Sequence, residues 1–164
     1  MKFLRTVRLD SSDVHAYRQA AASGEWAVAG TFAFVDLAPE TVTGKDKLAF
    51  RSAWLGTESF GHASLVEVAE ITEGAFFAVV ERLARHFVER YGAPDLASAL
   101  PAARAEADAA AGLCDHKNHT LLAIERDWSD GGVREQVRVI RPSRAQEHAK
   151  IWQILPERDP DAEP

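Results

Sequence analysis

The sequence predicts a single α+β domain built on a largely antiparallel sheet, and three observations carry that reading. Several short segments alternate apolar and polar residues with period two, two longer stretches repeat with helical period, and a Ser-Asp-Gly-Gly turn joins two long alternating runs near the C-terminus. A chain of 164 residues suits one hydrophobic core. With 46% hydrophobic and 27% charged residues it has the composition of a folded globule, which excludes a disordered, collagenous or coiled-coil chain. We place the domain at 1–155 and an acidic, disordered tail at 156–164, where Glu157, Asp159, Asp161 and Glu163 face one base, Arg158.

Lys2–Leu9 is short and rich in β-formers, hence a strand. Ser12 caps a helix through Ala22, with Val14 and Tyr17 on one side and Gly24 closing it. Glu25–Val35 alternates Trp26, Val28, Gly30, Phe32 and Phe34 against smaller residues, the pattern of a central strand covered on both faces. After a loop at Pro39–Thr43, a helix is expected over Lys45–Leu55, ended by Gly56, and a strand over His62–Ile71.

The strongest periodicity predicts a helix over about 73–91. Phe76, Phe77, Val80, Leu83, Ala84, Phe87 and Tyr91 form its apolar stripe, and Glu81, Arg82, Arg85, Glu89 and Arg90 its opposite, solvated face. Thr72 is its N-cap, and Gly92 and Pro94 mark its exit. A second helix, over about 101–113, begins at Pro101 and is rich in alanine, which allows close approach to a neighbour. This pair of helices is expected to pack on one face of the sheet.

Thr120–Trp128 and Val133–Arg141 form a C-terminal β-hairpin around Ser129–Gly132. Setting Trp128 opposite Val133 pairs Arg126 with Glu135, Ile124 with Val137, Asp127 with Arg134 and Leu121 with Ile140, so opposite charges meet across the strands. Ala149–Leu155 is a last strand.

The dense local group of metal-type ligands is Cys114, His116 and His119, at a helix-to-strand junction. Thiolate and imidazole suit zinc, copper or iron, and three protein ligands leave an open position, with Glu67 or Glu125 as a fourth ligand. The spacing fits no standard zinc module. The plainer reading is that both imidazoles complement a helix C-terminus and Cys114 is a small buried apolar residue. We expect the plainer reading and no cofactor, with a mononuclear metal site as the alternative. Glu67 and Glu70, in a strand, are acid–base candidates if buried, and otherwise pair with arginine or face solvent.

No nucleophile elbow, Walker loop or dinucleotide fingerprint occurs. Arg134, Arg138, Arg141 and Arg144 lie near Lys117 in sequence or by strand pairing, a group suited to phosphate or carboxylate; Asp127 and Glu135 among them favour a salt-bridged face. The four tryptophans are scattered rather than set as a base-stacking platform. The net charge of −6 gives no field that would attract nucleic acid or an anionic membrane, and no apolar run reaches the ~20 residues of a bilayer span. The N-terminus lacks a secretory apolar region and a lone cysteine forms no internal disulfide, so a cytoplasmic location is expected.

Three segments, Glu58–Ile71, Arg90–Ala97 and Leu113–His116, resemble a family of short uncharacterised proteobacterial proteins of unknown function. The resemblance implies a bacterial cytoplasmic protein folding as one unit and brings no catalytic residues. The sequence reading is therefore a soluble, non-catalytic accessory or binding protein whose partner is another protein or itself, with enzymatic activity left open.

Overall fold

A computed structural model of the protein describes residues 1–142 and 152–154. The elements run β1 (Lys2–Val7), α1 (Ser12–Ala16), β2 (Trp26–Val28), a 3₁₀ turn (Thr31–Phe34), α2 (Gly44–Ser52), β3 (Trp54–Gly56), β4 (His62–Ala63) and β5 (Leu65–Glu70). The long helices α3 (Glu73–Arg90) and α4 (Leu96–Gly112) follow, then β6 (Leu121–Ser129), β7 (Gly132–Pro142) and β8 (Trp152–Ile154). The strands make one antiparallel sheet in the order β4-β3-β2-β1-β5-β6-β7-β8, an α+β domain. The pair α3–α4 is inserted between its N- and C-terminal halves.

The main core joins Leu4, Val66, Val68, Leu122 and Ile124 of the sheet to Val79, Leu83 and Ala84 of α3 and to Ala99, Ala103, Ala107 and Ala110 of α4. The alanine face of α4 lets the two helices pack closely, as the composition implies. A second cluster of Tyr17, Phe34, Ala49, Phe50 and Ala53 extends to Trp128, whose ring lies parallel to Phe50 at 3.8 Å. The hairpin β6–β7 has the expected register at every predicted pair, Ile124–Val137 and Arg126–Glu135 included. Ser129 also pairs with Gly132, so the connection is the two residues Asp130-Gly131 rather than four.

Several boundaries differ, each for a local reason. The strand expected over Glu25–Val35 ends at Val28, because Gly30 adopts φ +76° and turns the chain into the 3₁₀ segment. The helix from Ser12 closes at Ala16, since Tyr17 is already extended. The helix expected over Lys45–Leu55 spans Gly44–Ser52, and Trp54 and Leu55 belong to β3. The strand over His62–Ile71 is split at Ser64, whose N–H and hydroxyl both bond to the buried Asp13 carboxylate.

Helix α4 starts at Leu96, not Pro101. Asp95 accepts from the Ser98 N–H at 2.7 Å, so this cap sets the start, and Pro101 falls in the second turn. There its missing N–H leaves the Ala97 carbonyl at an exposed position. The cap of α3 is as predicted, with Thr72 accepting from the Ala75 N–H. Its apolar face is rotated, however: Phe77 is 45% exposed, Val79 takes the buried position and Phe87 is half-buried. The expected last strand appears at Trp152–Ile154 against β7; the tail 156–164 lies outside the described residues.

Phe76 packs edge-on against Phe3 at 5.7 Å and is 1% exposed, whereas Phe77 is 45% exposed at the edge of α3, with the Arg104 guanidinium over its ring. Phe76→Ala is expected to cost about 3–5 kcal/mol and Phe77→Ala under ~1 kcal/mol. Urea denaturation of the two variants checks this, and equal losses would contradict the orientation of α3.

Candidate functional site: a cleft between helix α3 and the β3–β4 turn

The site begins with a buried carboxylate. Glu25, 3% exposed, accepts hydrogen bonds from the N–H groups of Ala22 (2.7 Å), Ser59 (2.8 Å) and Glu58 (3.1 Å), and from the Ser59 hydroxyl at 2.7 Å. These four bonds satisfy the charge and fix the turn between β3 and β4. Ser59 Oγ in turn accepts from the Gly61 N–H at 3.0 Å. Between them Phe60 is held at φ +55°, a left-handed conformation unusual for an aromatic residue and costing roughly 1–2 kcal/mol.

Gly61 follows because nothing larger fits. A Cβ there would stand 2.7 Å from the Ala20 carbonyl carbon, against the backbone segment that bridges to His62. That segment is tied by His62 N–H to the Gln19 carbonyl and by Ala21 N–H to the His62 carbonyl, both at 2.8 Å. The Gln19 side-chain amide also donates to the Ser59 carbonyl.

Across from this turn runs α3. Arg82, Arg85, His86, Glu89 and Arg90 follow i, i+3, i+4, i+7, i+8 spacing and so share one helix face. The space between them and the turn is a cleft of about 690 Å³, also lined by Phe60, His62 and Tyr91. Phe60 stacks flat on His86, with ring centroids 3.8 Å apart and planes 3° apart. Tyr91 meets His86 edge-on at 5.4 Å, and Phe32, delivered by the 3₁₀ turn, meets Phe87 at 4.9 Å and Tyr91 at 5.3 Å. Arg82 and Glu58 approach across the cleft at 3.8 Å.

Burial, chiefly, and the positive charge of Arg126 hold His62 below the ordinary histidine pKa. Burial and the neighbouring Arg90 do the same for His86. Both imidazoles are therefore neutral near pH 7 and can donate and accept hydrogen bonds.

The predicted ligand cluster lies elsewhere, at the end of α4. Cys114 is buried; its thiol donates to the Ala110 carbonyl at 3.4 Å, and burial pushes its pKa up to about 11, which disfavours the thiolate that a metal requires. His116 is half-buried, and its carbonyl accepts from Lys2 Nζ at 2.6 Å. His119 stands at φ +72° with its ring 76% exposed and Nδ1 3.6 Å from Glu67 Oε1, an oxygen that also accepts from Arg5 at 2.7 Å. The structure thus brings His119 to Glu67, while Cys114 turns into the core. Among the described residues no group of three or more His, Cys, Asp or Glu is placed to hold a metal ion.

Glu125 pairs with Arg138 at 3.2 Å, and Glu70 is exposed beside Asn118. Of the C-terminal arginines, Arg134 stands opposite Asp127 in the hairpin, and Arg144 lies outside the described residues. Glu135 is exposed and is also salt-bridged, its carboxylate turned to the buried Arg126 at 3.1 Å.

The sequence reading missed the cleft because it assigned the polar face of α3 to solvent. The available signal was the Arg/His spacing on that face together with Phe60-Gly61-His62, which read as an ordinary turn.

A family model described as a family of unknown function, DUF6505, matches residues 1–154, and the chain belongs to that family. No curated protein and no solved structure matches the chain. Among the described residues no helix is long and apolar enough to cross a membrane.

Because the folded state keeps His62 and His86 neutral, their contribution to stability is complete above the unfolded-state pKa near ~6.5. It is lost as pH falls below that value, where the unfolded chain binds protons the folded chain refuses. The urea midpoint is expected to drop between about pH 6.5 and 5, less steeply in His62→Gln and least in the His62→Gln/His86→Gln double variant. Parallel curves for all three proteins would contradict the burial of these rings.

Proposed function

We propose that this member of the family is a non-catalytic bacterial accessory protein of the cytoplasm that binds a small molecule in the cleft between α3 and the β3–β4 turn. The observation that carries the reading is the cleft itself: about 690 Å³ of space between a charged helix face and an aromatic, conformationally strained turn. That volume falls within the range of small-molecule sites, and the lining, mostly charged and polar side chains with Phe60 and Tyr91 among them, suits a polar, charged ligand. The strain at Phe60 supports the same reading, since such backbone persists where the surroundings over-determine it, often at ligand sites.

Binding is favoured over catalysis by the state of the hydroxyl in the wall. Ser59 Oγ donates to Glu25 and accepts from the Gly61 N–H, so it is engaged in structure and not poised as a nucleophile. Recognition of another protein, or of a second copy, would then depend on whether the cleft is filled. The nearly balanced charge of the chain outside its acidic end supports a reading without nucleic acid.

A thermal-shift screen of the untagged protein against a library of small metabolites tests the proposal. A ligand at ten times its Kd adds about 1.4 kcal/mol, which raises Tm by roughly 3–6 °C in a domain of this size. At least one chemical class is expected to do so, with the shift abolished in Gly61→Ala, where the added methyl displaces the turn. A library that leaves Tm unmoved throughout, or a shift retained in that variant, would contradict it.

A further inference from the structure

We infer that the cleft selects an anion carrying a flat ring system, the charge held by Arg85 and Arg90 of α3 and the ring seated against Tyr91 beside the Phe60–His86 stack. This rests on the reading of the cleft as a small-molecule site and names the ligand class. The walls contain the guanidinium groups of Arg82, Arg85 and Arg90 against the carboxylates of Glu58 and Glu89, so cationic groups outnumber anionic ones.

The carboxylates of Glu58 and, outside the cleft lining, Glu81 do not consume the arginine donors. Arg82 and Glu58 stand 3.8 Å apart, and Arg85 and Glu81 likewise 3.8 Å, well beyond the ~2.7–2.9 Å of a charge-assisted hydrogen bond. Arg90 forms no ion pair with another described residue. Exposed pairs at such distances contribute little and exchange readily for a better acceptor. A carboxylate, sulfonate or phosphate offers that acceptor, because its paired oxygens match the planar guanidinium fork.

The ring preference follows from the aromatic groups beside those arginines. Phe60 and His86 already form one stack, and Tyr91, 46% exposed, presents its ring edge-on to His86. Flat, rigid rings at the mouth of a cleft gain most from a flat partner. The neutral state of the His86 imidazole keeps this ring stack uncharged near pH 7.

Two fluorescent probes of matched shape separate the parts of this inference. The first is 1-anilinonaphthalene-8-sulfonate, an anion on fused rings, and the second is the uncharged N-phenyl-1-naphthylamine. The wild-type chain is expected to bind the sulfonate saturably, one per chain and at least tenfold more tightly than the neutral dye. Arg85→Gln/Arg90→Gln should weaken the sulfonate tenfold or more and leave the neutral dye unchanged, while Arg85→Lys/Arg90→Lys should keep most of the affinity. Both positions are on the charged helix face, and near-UV circular dichroism verifies that each variant is folded. Equal affinity for the two dyes, lost together in Tyr91→Ala, would overturn the anion preference and leave the cleft as a binding site. Inorganic pyrophosphate binding as tightly as the sulfonate would overturn the ring preference. Failure of both dyes to bind, or binding indifferent to every substitution in the cleft, would overturn this inference and the reading beneath it.

Discussion

The guanidinium of Arg126 is the point on which the rest of the structure depends. It is 1% exposed and projects from β6 between two segments, residues 29–34 and 50–53, that share no regular hydrogen bonding with that strand. Nη1 donates to the Phe50 and Ala53 carbonyls at 2.9 and 3.0 Å, which closes the C-terminal end of α2. Nη2 donates to the Ala29 carbonyl at the end of β2, and Nε to Thr31 Oγ1 and Glu135. The Phe34 ring lies beneath it at 5.4 Å. Burying a charge is expensive, and the arrangement is stable only because the donors have acceptors and Glu135 supplies the opposite charge at 3.1 Å. Burial draws the Arg126 pKa down and Glu135 draws it back, so the group stays charged. Lysine, with three donors from one nitrogen, could not span these positions.

What Arg126 fixes is the path by which the chain reaches the cleft. The carbonyl of Ala29 precedes Gly30, whose N–H donates to Glu106 of α4 and whose left-handed backbone starts the 3₁₀ turn. That turn carries Phe32 to the end of α3. The carbonyl of Ala53 precedes β3, which leads into the turn organised by Glu25. Two buried charges of opposite sign thus hold the two chain segments that face α3. The cleft walls are fixed by contacts within the chain, and a site fixed by its own fold loses less entropy on binding.

The sequence discloses those parts of the fold that local chemistry decides. The hairpin register could be read because Asp130-Gly131 and the alternation on both sides agree. The Thr72 cap could be read because a single hydroxyl accounts for it. Where two local signals compete the reading slips: Pro101 favours a helix start, yet Asp95 with Ser98 supplies an actual cap six residues earlier. In β2 the alternation continues past Gly30, but the strand does not, because Gly30 and Arg126 redirect it through partners distant in sequence. The cleft is the extreme case. A stripe of arginines and a histidine on a helix has the pattern of a solvated face, and only the Glu25 turn, fixed by bonds spanning more than thirty residues, makes it a wall.

The central proposal is that this cleft is where the protein meets its ligand. Its most direct test is an amide ¹H–¹⁵N titration of the intact labelled chain with 1-anilinonaphthalene-8-sulfonate. The account predicts shifts concentrated at Phe60, Gly61, His62, Arg85, His86 and Tyr91, with the hairpin β6–β7 unmoved. Shifts centred on His116 and His119, or spread along β6–β7, would contradict it.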